Sequence, residues 1–433
     1  MGNLMRQYWI PALQPSDLPE ADGRPLRLRL LGEDLIAFRD STGRVGVMRH
    51  SCPHRGASLF FARNEHGGLR CVYHGWKFDV EGNCIDMPNE PPESNFKEKV
   101  RAGAYASVER NGIIWAYMGP KQAPPPLPEL LPNLDADCRV WRRLEQCNYM
   151  QALEGDIDTV HFGFLHAGHI KTEQLMHGSA DYYSLKHREA RFEVREHEIG
   201  TSYAAIRDAE EGTEYWRMGH YLLPFFTMNA PGLLGIKNFC NAWVPLDDEN
   251  TMVWAIGQQV FDPNTTGIGG LKAGFVRQDP LGKFDPYGQR QQGQPIPRKF
   301  QVNSSDWLGM YRPIANRDND YLMDFDLQKS MGTYTGIPGP GQDPMAQETM
   351  GPIYDRTQER LGTSDTMIIR ARRKLINAAR AFDDGVTPPG IEAPELFRMR
   401  SGGALLRKGA NGLDDLANLH FARAEMSEVS LPV

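Results

Sequence analysis

Two short stretches decide the reading of this chain: Cys52-Pro53-His54-Arg55-Gly56 and Cys71-Val72-Tyr73-His74-Gly75-Trp76, with sixteen residues between His54 and Cys71. Each supplies one thiol and one imidazole. Two thiolates and two imidazoles hold either a tetrahedral zinc or a [2Fe–2S] cluster in which two histidines replace two cysteines on one iron. Zinc sites usually segregate the cysteine pair from the histidine pair, whereas loops giving one of each suit a two-iron rhomb gripped from opposite sides. The spacing favours the cluster, with structural zinc as the alternative.

The rest of the chain is compatible with a redox enzyme. Its 433 residues, 40% hydrophobic and 24% charged, are ordinary for a soluble globular protein with two or three domains' worth of core. A net charge of −7 argues against nucleic acid or an anionic membrane as the main partner. No run of eighteen apolar residues and no signal-peptide pattern occurs, so a cytoplasmic location is expected. Cys84, Cys138, Cys147 and Cys240 form no spaced framework and read as reduced, buried thiols.

From Pro25 to Tyr117, short β-like runs such as Leu35-Ile36-Ala37-Phe38 and Val45-Gly46-Val47-Met48 alternate with Gly, Asp and Asn turns. We therefore expect an all-β domain over residues 1–120 and a second domain over 121–433, joined by a proline-rich connector at 120–132. The second should be an antiparallel sheet with covering helices, giving an α+β fold overall. Residues 149–165 read as helix and 366–382 as an amphipathic helix with Ile368, Ile369 and Leu375 on its apolar side. Arg370, Arg372, Arg373 and Lys374 would then lie on its solvated face. Residues 262–306, rich in Gly, Pro, Gln and Asn, read as a lid, a subunit-contact arm or a partly disordered segment.

A second constellation lies in Glu154-Gly155-Asp156-Ile157-Asp158-Thr159-Val160-His161-Phe162-Gly163-Phe164-Leu165-His166. At about 100° per residue, Glu154, Asp158 and His161 share a helix face, but His166 falls roughly 140° away. A break or π-type bulge near Gly163 would bring both imidazoles to one ion. Two histidines and one carboxylate with open positions form the Fe(II) oxygenase triad; packed core histidines are the alternative. Asp156 reads as a surface carboxylate paired with Lys or Arg.

The paired loops, their following Arg-Gly and His-Gly-Trp, and the Asp-x-x-His-x₄-His element together resemble the oxygenase (α) component of Rieske non-haem iron aromatic ring-hydroxylating oxygenases. The similarity is greatest to the phthalate dioxygenase type, through Met1-Gly2-Asn3-Leu4-Met5-Arg6-Gln7-Tyr8-Trp9, Leu69-Arg70-Cys71 and Met350-Gly351-Pro352-Ile353, and runs to about Asp384. The resemblance implies a Rieske [2Fe–2S] cluster on Cys52, His54, Cys71 and His74, and Fe(II) on His161, His166 and Asp343. Asp365, Asp355 and Asp324 are fallbacks for the carboxylate, and an N-cap before Pro344 is the other use of Asp343. It further implies that Asp158 links His161 to His74 of a neighbouring subunit in a trimer or stacked trimers. Electrons would come from a separate flavin and iron–sulfur reductase using NADH, since no Gly-x-Gly-x-x-Gly opens a βαβ unit here.

The implied reaction is hydroxylation of an aromatic carboxylate with O₂, by cis-dihydroxylation. An O-demethylase or other monooxygenase on the same scaffold is the near alternative, and a non-catalytic Rieske electron carrier the distant one. Reading 202–207 and 214–221 as a hairpin puts Tyr203, Ala205 and Arg207 on one face, with Arg207 as the carboxylate clamp. In the tightest register Arg207 would face Glu214 and form a cross-strand ion pair instead. Arg217 and His220 are further candidates, and Phe225 and Phe226 serve equally as core or pocket wall.

Overall fold

The computed structural model describes residues 2–168, 170–230, 232–234, 238–258, 300–330, 333–337 and 339–422. A short helix α1 (Gly2–Met5) leads into ten strands: β1 (Trp9–Leu13), β2 (Leu26–Leu30), β3 (Glu33–Arg39), β4 (Val45–Arg49), β5 (Arg63–Glu65), β6 (Gly68–Arg70), β7 (Lys77–Phe78), β8 (Cys84–Asp86), β9 (Ala104–Arg110) and β10 (Ile113–Tyr117). They make a six-stranded antiparallel sheet in the order β1-β10-β9-β4-β3-β2 and a four-stranded sheet β5-β6-β7-β8. Alternation along β3 and β4 turns Ile36, Phe38 and Met48 inward, where they meet Leu69 and Phe78 of the smaller sheet. Cys52 and Cys71 lie in that same apolar cluster.

After β11 (Cys138–Glu145) come α2 (Tyr149–Ile157), α3 (Ala180–Lys186), β12 (Arg191–His197), β13 (Gly200–Asp208), β14 (Thr213–Leu222), β15 (Phe226–Met228), β16 (Phe239–Pro245) and β17 (Thr251–Gln258). The sheet order is β11-β17-β16-β15-β14-β13-β12. The remaining elements are α4 (Phe325–Lys329), α5 (Gly339–Glu348), α6 (Thr366–Asp383), β18 (Gly402–Arg407), α7 (Gly412–Asp415) and α8 (Ala417–His420). β18, which sequence reading missed, adds antiparallel to the first half of β14, leaving the second half to β15. Its glycines hide it from strand propensity, yet Gly403 is required: a Cβ there would lie 2.6 Å from the Tyr215 ring. The class is α+β, as expected. Among the described residues no helix is long and apolar enough to cross a membrane. Most of 262–306 lies outside the described residues.

Three local expectations need correction. Helix α2 ends at Ile157 rather than near Leu165, because Asp158 takes extended backbone (φ −78°, ψ 102°). On α6, Ile368 and Leu375 are buried but Ile369 is 39% exposed, and the Arg372 side chain is only 22% exposed. Its guanidinium binds Glu154 of α2 (2.6 and 2.8 Å) and Glu359 (2.6 and 2.8 Å), fastening α6 to the helix that leads into the histidines. Among the described residues Asp156 pairs with no Lys or Arg; it accepts hydrogen bonds from Thr227, Asn229 and Asn241, tying α2 to the sheet.

The two halves share a core in which Leu13, Trp115 and Tyr117 pack with Trp243, Met252 and Trp254. One buried ion pair crosses it: Arg142 of β11 bonds Asp17, their side chains 2% and 3% exposed, while Tyr311 donates to Asp17 (2.7 Å) and flanks the guanidinium. Arg142→Met would strand Asp17 as a buried charge and should lower the unfolding free energy by about 3–5 kcal/mol in denaturant titration. A loss below about 1 kcal/mol would mean that water screens the pair.

Candidate metal centres

Residues 71–76 join β6 to β7 as a six-residue loop closed by the Arg70–Lys77 pair, and residues 52–57 form a second six-residue loop closed by a bridge between Ser51 and Ser58. Their backbone hydrogen bonds match. Cys52 N–H donates to Ala57 O (2.8 Å) and Gly56 N–H to Cys52 O (2.9 Å); Cys71 N–H donates to Trp76 O (2.8 Å) and Gly75 N–H to Cys71 O (2.9 Å). The fifth residue of each loop is a glycine at φ +78° or +80°, the left-handed backbone that closes the turn. Histidine is third in one loop and fourth in the other, and the two rings meet with centroids 4.4 Å apart. His54 stacks on Trp76 at 4.2 Å, and Trp76 is held by its Nε1–H to Asn89 Oδ1 (2.8 Å).

The donor chemistry fits a [2Fe–2S] group. Cys52 and Cys71 are each 3% exposed, and burial, with Cys71 beside it, pushes the Cys52 thiol up to about 11. Two thiolates here therefore need a positive centre between them. Desolvation and the neighbouring His54 push His74 down, which keeps it a neutral ligand. Among the described residues, the one set of three or more such donors lying within 4.8 Å of one another is elsewhere, so these four do not close on a point as zinc ligands would.

That set is His161, His166 and Asp343. Beyond α2, Asp158 Oδ1 accepts from Val160 N–H (2.9 Å) and His161 N–H (3.4 Å), starting a new turn in a new direction. Within it Ala167 N–H donates to Phe162 O (3.1 Å), an i→i+5 bond spanning Gly163. This wide turn stacks positions five apart and brings His161 Nε2 to 3.2 Å from His166 Nε2. Asp343 projects from within α5, so it is not an N-cap, and its Oδ1 lies 3.1 Å from His166 Nε2 and 3.6 Å from His161 Nε2. Burial raises its carboxyl, but the His166 hydrogen bond and the charges of His166, His161 and Arg143 outweigh that and hold it at about 2. Asp365, Asp355 and Asp324 instead each accept a hydrogen bond from a nearby backbone N–H. Asp158 Oδ2 lies 3.8 Å from His161 Nδ1, which is buried without a hydrogen-bond partner among the described residues.

Pairing between β13 and β14 places Arg207 opposite Tyr215 and Ala205 opposite Arg217, one residue away from the tight register. Glu214 therefore lies on the other face, where it meets Arg191 (3.4 Å) rather than Arg207. Arg207 is 4% exposed; its Nε–H donates to His187 O (2.8 Å), and among the described residues its Nη1 has no partner. Burial, reinforced by Arg217, pushes Arg207 down to about 10, still a cation at neutral pH. The Arg217 guanidinium lies 5.6 Å from the Phe162 ring, and that ring lies 5.9 Å from His166, so the cationic face adjoins the triad. His220 is a satisfied core histidine, bonded to Ser202 Oγ (2.9 Å) and Arg400 O (2.8 Å), and Phe225 and Phe226 are core. Sequence reading missed Gln342, whose Oε1 meets His166 Nδ1 at 2.8 Å, and Arg143 with Glu145 behind Asp343. Nothing in the sequence marks the latter two; Gln342 stands beside a suspected ligand.

Comparison with known proteins agrees with this geometry. Residues 8–102 match the Rieske [2Fe-2S] domain model, and residues 116–267 and 292–411 match the LigXa C-terminal domain like model. The chain is 42% identical to the 3-chlorobenzoate-3,4-dioxygenase oxygenase subunit of Comamonas testosteroni, over 95% of this chain and 93% of that one. It is 36% identical to the phthalate 4,5-dioxygenase oxygenase subunit of Pseudomonas putida, over 100% and 94%. It is 31% identical to the 5,5'-dehydrodivanillate O-demethylase oxygenase subunit of Sphingobium sp. (strain NBRC 103272 / SYK-6), over 90% and 79%. In fold it is similar to dicamba monooxygenase, with a TM-score of 0.55 and 16% identity over 88% of this chain and 99% of that one.

Two outcomes are expected. His166→Ala or Asp343→Asn should remove mononuclear iron while the visible spectrum of the cluster persists; joint loss of both would make the turn structural. Gly56→Ala, with open space at its Cβ, should cost only the roughly 1–2 kcal/mol of left-handed backbone. Gly75→Ala also drives a Cβ to 2.7 Å from Pro88 Cγ and should bleach the cluster's absorption faster on heating; equal bleaching rates would contradict this.

Proposed function

The chain belongs to the Rieske non-haem iron oxygenases, as an oxygenase subunit, and within that family we propose that it hydroxylates an aromatic carboxylate by cis-dihydroxylation. Family membership carries oxygenase chemistry, both iron centres and dependence on a separate reductase. The observation that carries the substrate class is Arg207, a buried guanidinium with a free Nη1, on the sheet face that also bears Arg217. A buried cation without an anion is costly, and a substrate carboxylate supplies one through charge-assisted hydrogen bonds. Relatives named for chlorobenzoate, phthalate and phenoxybenzoate support the same class.

When bound, the cluster supplies single electrons and the Fe(II) activates O₂. Cys52, His54, Cys71 and His74 would hold the first, and His161, His166 and Asp343 the second. The Phe162 ring lies 5.6 Å from the Arg217 guanidinium and 5.9 Å from the His166 ring, so a carboxylate held by the arginines would keep the rest of the substrate near the triad. The unpartnered Nδ1 of His161 supports Asp158 as its orienting acceptor, and as the link to His74 of a neighbouring subunit in a trimer or stacked trimers. The electron donor is read as an NADH-dependent reductase, with the assembly in the cytoplasm.

The test is product analysis under labelled O₂ with a reductase and a panel of benzoates and phthalates. Two labelled hydroxyls on a cis-diol are expected; a single labelled oxygen with loss of an O-methyl group would establish the demethylase reading, to which the 31% relative belongs. Arg207→Met should lower kcat/KM for the carboxylate substrate by about 30- to 1000-fold, equivalent to about 2–4 kcal/mol, with iron content unchanged. An unchanged kcat/KM would remove Arg207 from the site.

A further inference from the structure

The hydrogen bonds around Gln342 determine which way its amide points. Gln342 is 4% exposed, and its Nε2 lies 3.1 Å from Ile337 O and 3.0 Å from Thr335 Oγ1. A backbone carbonyl can only accept, so the atom facing it must be the NH₂ group. Thr335 cannot reverse this, because its hydroxyl donates to Ile337 O (3.2 Å) and accepts Ile337 N–H (3.1 Å). Gln342 Oε1 is thereby turned to His166 Nδ1, 2.8 Å away. An amide oxygen has no proton to give, so Nδ1 must carry one, and in a neutral imidazole Nε2 is then a bare lone pair. Nε2 lies 3.1 Å from Asp343 Oδ1 and 3.2 Å from His161 Nε2, a point at which a metal cation, or in its absence a proton, satisfies the three atoms.

We propose that Gln342 is a positioning residue for the mononuclear site: it fixes the tautomer and ring plane of His166 so that Nε2 is always presented to the metal. The proposal rests on the reading that His161, His166 and Asp343 bind that metal. It divides the orienting of the two histidines between different sources. His166 is aligned through a neutral amide acceptor within hydrogen-bond distance, whereas His161 Nδ1 has no hydrogen-bond partner among the described residues and lies 3.8 Å from the Asp158 carboxylate. Pre-alignment by an outer acceptor should show in metal affinity more than in fold stability.

The test uses the full-length, cluster-loaded protein with its mononuclear metal removed, titrated with Co(II) alone. Affinity is read by chelator competition, the site from the Co(II) visible spectrum, and fold from Tm and cluster absorption. Gln342→Met, of similar length but with no acceptor, should bind Co(II) about 10- to 100-fold more weakly with the cluster spectrum unchanged. Gln342→Glu, which keeps an acceptor for His166 Nδ1 and, protonated, a donor for Ile337 O, should recover most of that loss. Thr335→Val, which removes one of the two groups holding the amide, should weaken binding by about 3-fold and carries the test if Gln342→Met fails to fold. Parent affinity in Gln342→Met, or in Thr335→Val when it stands alone, would overturn the proposal, as would Gln342→Glu binding no better than Gln342→Met. His166→Ala separates the two levels: if it binds Co(II) like the parent, the metal-site reading itself falls.

Discussion

Much of the second half of this structure is organised by one geometric demand: two imidazoles five residues apart must bring their Nε2 atoms to 3.2 Å, against a carboxylate from far along the chain. A regular helix cannot do this. The chain therefore stops α2 at Ile157, turns through Asp158, and resumes in a wide turn closed by the Phe162–Ala167 bond. Such a turn has little intrinsic stability and borrows it from its surroundings. Asp156 ties the helix end to the sheet, Arg372 clamps Glu154 from α6, and Gln151 donates to Gln347 O and Gly351 O beside α5. Asp343 reaches the histidines because α5 packs directly on α2: a Cβ on Gly155 would lie 2.3 Å from Gln347 Nε2.

The cluster loops solve a different problem with two copies of one device. Each is a six-residue loop with a left-handed glycine fifth, so each presents its cysteine inward from a strand end and its histidine toward the surface side. Moving histidine from the third to the fourth position between copies lets the rings meet edge to face at 4.4 Å instead of colliding. The buried thiols sit in the apolar cluster between the two small sheets, where low dielectric strengthens their interaction with a positive centre. Val72 and Tyr73, 60% and 55% exposed, leave the histidine side of the group facing outward.

Legibility in the sequence followed how local each signal was. Cys52, His54, Cys71 and His74 were readable because their spacing and glycines encode the loops directly, and β3, β4, β13 and β14 because their alternation is strong. His161 and His166 were readable as a pair, but not the end of the helix before them, since nothing in the pattern of 149–157 marks the extended Asp158 whose carboxylate accepts from Val160 and His161 N–H. The register of β13 on β14 was off by one because the turn at 209–212 is longer than the tightest hairpin, and that shift moved Glu214 away from Arg207. β18 was invisible: glycine is disfavoured in strands, and the reason for the pair is spatial, the Leu234 backbone against Gly402 and the Tyr215 ring against Gly403. Gln342 could be named from Asp343, but its role needed Thr335 and Ile337 in space.

The proposed assignment gives one chain two chemically distinct iron sites on separate ligand sets. Metal and acid-labile sulfide analysis of the purified, fully loaded protein tests it most directly. Three irons and two inorganic sulfides per chain are expected, from one [2Fe–2S] cluster plus one mononuclear iron. Stoichiometric zinc without sulfide would contradict the cluster, and two irons with two sulfides would contradict the triad.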